Sequence, residues 1–330
     1  MLQRERIQQI DTPSRDGFDA IFNANFLEDI PEAVKQWGSS KVLLVASKTL
    51  AAQTDNISNL QKSLGSKLVH THLGVGTHSP YKDVRDIARQ IQHHQADCVI
   101  SVGSCSYSDA TKIACLLASN LKPDFEVDDM EALVDKERGF ADTAWKPRQC
   151  KLILVPTSLS ASEWNAVSSA TNSQGKKQHF GNWDEGMADL VIMDPELAIT
   201  SPEVLWLSSG VRCVDHCVET MCNPKAGEKG LEGVNVHAMK GLECMITGLT
   251  DYKKAKDLND SSAEAREALK KGISECQYGS REALTPLLIW KVPMGPSHAI
   301  GHQVCRTITL ARRVANNSQS SDPWRMSCMV

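Results

Sequence analysis

Residues 97–112, Asp-Cys-Val-Ile-Ser-Val-Gly-Ser-Cys-Ser-Tyr-Ser-Asp-Ala-Thr-Lys, constrain the fold of this chain more than any other stretch. The apolar run from Cys98 to Val102 reads as a buried strand. Gly103-Ser104-Cys105-Ser106 reads as a tight small-residue loop. Ser108 or Asp109 then stands as the cap of a helix whose apolar residues, Ala110, Ile113, Ala114, Leu116 and Leu117, recur with helical period. A strand feeding a small loop and a helix start leaves backbone N–H groups without intrahelical partners at the positive end of the helix dipole. That arrangement is an anion site. An ordinary βα connection with a glycine and a serine cap fits the same residues equally well.

The alternation extends along the first two-thirds of the chain. Strands are expected at 41–47, 67–72, 97–102, 151–157 and 190–193. Between them lie helices around 57–64 (closing at Gly65), at 81–95 and at 108–119, the second with Val84, Ile87, Ala88 and Ile91 on one face. Continuous apolar strands alternating with helices mean an α/β fold: a parallel sheet covered on both faces, with right-handed crossovers. After Asp194-Pro195 only helical patterns follow, at 196–198, 201–222, 233–247, 262–277 and 282–290. Two domains result, 1–198 and 199–330. Residues 124–150 keep no period and read as a surface insertion.

Composition narrows the function. The net charge is −4, with no long run of one sign, which argues against a nucleic-acid surface or a polybasic membrane contact. Aromatic residues make up 5%, too few for a base-stacking platform. The longest apolar runs fall short of a bilayer span, and Met1 to Asp16 lacks the pattern of a secretory signal. The eleven cysteines are odd in number and follow neither a disulfide framework nor a CxxC zinc spacing. Most read as buried thiols of a reducing, cytoplasmic compartment.

Three further segments carry chemistry. Pro156 to Asn165 follows a strand and is dense in hydroxyls, suited to donate to phosphate or an amide, or simply to satisfy its own turn. On the helix 201–222, Arg212, His216 and Glu219 share a face. In Pro293 to His302, Pro296 suits a helix start and places His298 and His302 at i, i+4, a spacing that serves a metal or a proton shuttle.

The order of these four segments resembles the iron-containing alcohol dehydrogenase family, and especially its maleylacetate reductase branch, from about Phe22 to Gln303. The family's Gly-Gly-Gly-Ser-x-x-Asp-x-x-Lys motif corresponds to Gly103 through Lys112. The hydroxyl loop resembles Pro156 to Glu163, and Asp194-Pro195 looks like the domain-junction Asp-Pro. Ser209 to Glu219 looks like the helix bearing the first metal ligands, and Pro293 to Gln303 like the histidine segment. The resemblance implies a Rossmann-like dinucleotide-binding domain, an all-α C-terminal domain of the dehydroquinate synthase-like type, and a cleft between them. It implies that the pyrophosphate of NAD(H) or NADP(H) rests on Gly103, Ser104 and Ser106, with Asp109 orienting loop and cofactor. Thr157, Ser158 and Ser160 would lie on the nicotinamide side, and Lys177 where a family lysine approaches the cofactor. Ser47, followed by Lys48, stands where an acid would hold a ribose diol, so a 2′-phosphate is tolerated. Family members lean to homodimers through the nucleotide-binding domain.

Departures from the family matter as much. Metal-dependent members use Asp-x-x-x-His on one helix; here Arg212 holds the aspartate position and only His216 remains. His298 and His302 are kept, but the later Gly-His is missing and Arg312 and Arg313 lie in that region. A cation in place of a carboxylate ligand removes ligand charge and adds repulsion, so no tightly held iron or zinc is expected. Arg212 then polarises a carbonyl or clamps a substrate carboxylate, and His302 or His298 donates the proton. An ion pair of Arg212 with Glu219 is the alternative. After Gln303 the resemblance stops, and apolar helix faces around Leu288 to Trp290 are expected to be exposed. The expectation is an NAD(P)H-dependent, metal-free reductase of a small carbonyl or enol-acid substrate. A shortened pseudoenzyme, or a non-redox relative that keeps nucleotide binding, is the alternative.

Overall fold

Apolar runs that alternate with amphipathic segments become a sheet buried between helices. A computed structural model of the protein describes residues 2–8, 19–141, 143–181, 185–258, 260–298 and 300. The first elements are β1 (Glu5–Gln8), β2 (Asp19–Phe22), α1 (Phe26–Gln36), β3 (Val42–Ala46), α2 (Lys48–Gln53), α3 (Asn56–Leu64) and β4 (Leu68–Leu73). There follow α4 (Tyr81–His94), β5 (Cys98–Gly103), α5 (Cys105–Asn120), α6 (Val127–Ala132), β6 (Val134–Asp135), β7 (Phe140–Ala141) and β8 (Lys151–Pro156). The strands end with β9 (Ser168–Thr171), β10 (Lys177–Phe180) and β11 (Leu190–Met193). Then come the helices α7 (Pro195–Ala198), α8 (Glu203–Cys222), α9 (Glu232–Asp257) and α10 (Ala263–Trp290).

The main sheet has the order β1-β2-β11-β8-β5-β3-β4. All its neighbours pair in parallel except β1 with β2. From β3 the chain runs to β4 on one side and then crosses back to β5 on the other. The strand order therefore reverses between β3 and β5, where α/β sheets open a crevice at the carboxyl ends. Every residue of β3 and β5 is buried, as sequences apolar on both faces require. One face packs against α1 and α3. The core on the other face takes in α4 and α5 and runs on without a break into α8, α9 and α10 through Trp206, Cys213 and Ile273. Phe22 stacks on Trp164 and on Tyr278 at centroid distances of 5.9 and 4.1 Å, tying strand, hydroxyl loop and α10 together.

Several expectations are corrected. Helix α5 starts at Cys105 with Ser104 as its N-cap, so Ser106 belongs to its first turn, Ser108 is buried within it, and neither Ser108 nor Asp109 is the cap. The small residues read as a loop simply continue helically from the end of β5. Segment 124–150 is not a surface insertion: Phe125, Met130, Val134, Ala141, Trp145 and Cys150 are buried in the main core. Its β6 and β7 join β10 and β9 in a second sheet, order β6-β7-β10-β9, whose strands are too short for a periodic signal. The two helices expected at 262–277 and 282–290 are one, α10. Glycines on both helices permit close backbone approach of α9 and α10: a Cβ on Gly248 of α9 would stand 2.7 Å from the Gly272 carbonyl oxygen of α10. Around the expected apolar face, Leu288 is buried and Trp290 packs over Gly233, while Ile289 is exposed. Larger exposed stripes run along α8 (Val204, Val211, Val218) and α9 (Val236, Met239, Ile246). The nine described cysteines are all free thiols. Among the described residues no helix is long and apolar enough to cross a membrane.

Asp194 joins the strands to the helices. Its Oδ1 accepts from the N–H groups of Glu196 and Leu197 at 2.8 and 3.0 Å, and its Oδ2 accepts from the Phe26 N–H at 2.9 Å. One carboxylate thus caps α7 and the start of α1. Asp194→Ala leaves three N–H groups without their acceptor and is expected to cost about 2–4 kcal/mol, read as a lower urea midpoint at unchanged slope.

Candidate functional site

A cavity of about 290 Å³ opens at the carboxyl ends of β3, β5 and β8. Ser47 and Gln53 line it after β3, Ser104, Ser106 and Tyr107 at the start of α5, and Thr157 after β8. It therefore occupies the crevice at the strand-order reversal. Ser104 makes no side-chain cap hydrogen bond. The work of capping falls to Ser158, whose Oγ accepts from the Cys105 N–H at 3.2 Å. Ser158 is 3% exposed and shapes the helix start from behind, rather than lining the cavity as the sequence suggested. Ser160 hydrogen-bonds the Cys105 side chain. Ser106 pins the loop before α4: its Oγ accepts from the His78 N–H at 3.2 Å and its carbonyl from the Ser79 hydroxyl at 2.9 Å. Ser47 caps α2, accepting from the Leu50 N–H at 3.3 Å. Gly103 fits beneath Tyr107; a Cβ there would lie 2.6 Å from the ring.

Asp109 is turned away from the cavity. Its Oδ1 stands 3.8 Å from Lys112 Nζ, and its Oδ2 receives the Ser169 N–H at 3.5 Å. Any influence on a ligand therefore runs through α5 and β9. Lys112 is 1% exposed and donates to the Asn165 carbonyl at 2.8 Å and to that of Ser162, binding the hydroxyl loop to α5.

A second group of residues meets on α8. His216 Nε2 and His298 Nδ1 are 3.2 Å apart. His216 is 3% exposed, and its Nδ1 has no hydrogen-bond partner. Burial first, and then the charge of Arg212, push both imidazoles down: His298 to about 4 and His216 well below its ordinary value. Lys177 adds to the effect on His298, and burial with Lys177 also lowers His78 and His179. The site therefore gathers neutral imidazoles around two cations. Of the residues the sequence singled out, the structure brings His216, His298 and Arg212 together with Lys177, which was expected at the cofactor, while His302 lies outside the described residues. Sequence reasoning missed His78 and His179, which stand outside the quoted motifs.

Glu219 differs from expectation. Its carboxylate accepts from the N–H groups of Gly295 and His298 at 3.0 and 3.2 Å, and from that of Ser297. It holds the histidine segment against α8, and its place three residues after His216 was the available signal. Asp215 accepts from the Ser297 hydroxyl at 2.7 Å. His302, the other histidine of this segment, lies outside the described residues. Among the described residues no group of three or more His, Cys, Asp or Glu is disposed to hold a metal ion, and Arg212 places a positive charge within reach of both imidazoles.

Comparison with known proteins follows the same lines. A sequence profile described as iron-containing alcohol dehydrogenase matches residues 19–195. A dehydrogenase of Alternaria alternata, ALT3, is 31% identical over 279 residues, which cover 81% of this chain and 68% of that protein. The crystal structure of maleylacetate reductase from Rhizobium sp. strain MTP-10005 aligns with a TM-score of 0.64 at 19% identity, over 92% of this chain and 70% of the other. Sulfoacetaldehyde reductase from Bifidobacterium kashiwanohense, solved in complex with NAD+, aligns with a TM-score of 0.64 at 17% identity, over 79% of this chain and 64% of that one.

The contact between Gly103 and Tyr107 is directly testable. Gly103→Ala forces the ring aside and is expected to cost about 1–3 kcal/mol in thermal or urea unfolding. In a Tyr107→Ala background the same change costs less than half as much, because the obstructing ring is gone.

Proposed function

The chain belongs to the iron-containing alcohol dehydrogenase family, in its maleylacetate reductase-like branch, and is an oxidoreductase; from this premise we propose that it reduces a small carbonyl or enol-acid substrate with NAD(P)H and without a bound metal. The observation that carries the reading is the start of α5 opening into the cavity at the strand-order reversal, with the Ser104 hydroxyl not used as a cap. A dinucleotide diphosphate suits that corner because the helix end presents N–H donors and a positive dipole. Ser104 and Ser106 would hold the diphosphate, with Ser47 and Gln53 toward the ribose and Thr157, Ser160 and Lys177 toward the nicotinamide. Among the described residues no carboxylate lines the cavity, which favours acceptance of a 2′-phosphate and hence of NADP(H).

When bound, the nicotinamide supplies the hydride. The chain supplies polarisation and a proton. The Arg212 guanidinium, with Lys177 nearby, draws charge toward the carbonyl oxygen or clamps a carboxylate of the substrate. Before a substrate binds, His216 and His298 are both held neutral. An anionic substrate offsets Arg212 and Lys177 and lets the His216–His298 pair take up a proton, which His298 then gives to the forming alkoxide. A substrate bearing a carboxylate is therefore turned over better than a neutral aldehyde of the same size. The competing reading, nucleotide binding without turnover, draws on the exposed apolar stripes of α8 and α9.

NADPH titration by tryptophan fluorescence, followed by turnover of a keto or enol acid with and without chelator, separates these readings. Arg212→Leu is expected to lower kcat/KM by about 100-fold or more while changing the NADPH dissociation constant less than about twofold. Chelation leaves the wild-type rate unchanged; a rate lost to chelator and restored by iron or zinc contradicts the metal-free mechanism. Tight NADPH binding with no turnover of any carbonyl supports the competing reading.

A further inference from the structure

One buried carboxyl is left unused by the site described above. Glu163 lies in the single 3-10 turn Ser162–Trp164 between β8 and β9 and is 1% exposed. No other residue hydrogen-bonds its carboxyl oxygens, and only weak support comes from its own backbone N–H. The turn that places it is firmly built. Ala161 enters it in the left-handed region at φ 62°. Trp164 leaves it with its ring stacked on Phe22 and its Nε1–H donating to the Ser280 hydroxyl at 3.1 Å. Lys112 fastens the turn from the other side through the carbonyls of Ser162 and Asn165, which flank Glu163 in sequence.

The ionisable groups facing Glu163 are Lys112 and Asp109 from α5 and Cys213 from α8. Cys213 stands next to Arg212 and three residues before His216. Glu163 thus lies at the end of the hydroxyl loop, between α5 and the helix α8 that carries His216. Its charge state sets the charge of this floor. With Glu163 protonated, Lys112 is balanced by Asp109. With Glu163 ionised, one negative charge is in excess in a region of low dielectric.

We propose that Glu163 is a positioning residue for cofactor charge: its carboxyl is ionised beside an oxidised nicotinamide and protonated beside a reduced one. The inference rests on the nicotinamide reading above. The oxidised ring is a cation and the reduced ring is neutral, so an excess buried negative charge favours the first and not the second. Burial pushes this carboxyl up to about 7, so both forms are populated near neutral pH. The reaction's balance is unaltered: the hydride carries two electrons and one hydrogen nucleus to the carbonyl carbon, the oxygen takes one proton, and Glu163 exchanges its own proton with solvent.

The dissociation constants of the oxidised and reduced cofactor, measured by fluorescence on the full chain from about pH 5.5 to about pH 8.5, test this. In the wild type the oxidised form gains on the reduced form by about threefold to tenfold as pH rises. In Glu163→Gln, which keeps the neutral shape, the ratio is flat. A wild-type slope retained in Glu163→Gln overturns the proposal. Calorimetry of the wild type in buffers of different ionisation enthalpy gives a second readout that needs no variant. Proton release on binding the oxidised cofactor near pH 7, absent for the reduced one, supports the proposal, and equal proton release for both overturns it. If the wild type binds neither cofactor, the nicotinamide reading fails and takes this inference with it.

Discussion

The start of α5 is the contact on which the rest of this structure depends. β5 delivers Gly103 to the carboxyl end of the sheet, Tyr107 closes over it, and Ser158, just past the end of the neighbouring β8, caps the first helical N–H. That cap comes from the loop after β8, so the helix start and the hydroxyl loop fix each other. Lys112 repeats the connection about two turns further in, giving its charge to carbonyls of the same loop. The cavity is therefore bounded by elements locked together before any ligand arrives, which lowers the ordering cost of binding.

Electrostatics divides the site in two. At the α5 end, backbone donors and hydroxyls face the cavity without a carboxylate among its lining residues. At the α8 end, Arg212 and Lys177 stand among imidazoles held neutral by burial and by those same cations. Such a region is suited to an anion. Charge brought by a substrate would also switch the histidines from acceptors to donors, so binding and proton supply become one event. Glu219 spends its carboxylate on backbone N–H groups of the histidine segment, which holds His298 against α8 where the charge of Arg212 acts on both imidazoles.

The strands were legible because a parallel sheet buried on both faces writes continuous apolar runs, and 42–46, 98–103 and 190–193 do so with little interruption. Helix α4 was legible from its amphipathic face. The helix start at Ser104 was not, because Gly, Ser and Cys serve loop and first turn alike and the deciding cap comes from Ser158, more than fifty residues away in sequence. The second sheet escaped because its strands have two or four residues, below the length at which alternation can be counted. The single long α10 escaped because Gly279 and Ser280 look like a break, whereas close packing on α9 needs small residues there: a Cβ on Gly279 would meet Met245 at 2.9 Å. In the site, same-face spacing found Arg212, His216 and Glu219, but the part Glu219 plays depends on where the segment after Val292 returns.

A structure of the protein with bound NADPH tests the central claim most directly. The account predicts the diphosphate against the first turn of α5, within hydrogen-bond distance of Ser104 and Ser106, and the nicotinamide turned toward Thr157 and the His216–His298 pair. A diphosphate found away from that helix end, or a cavity that stays empty at saturating cofactor, would contradict it.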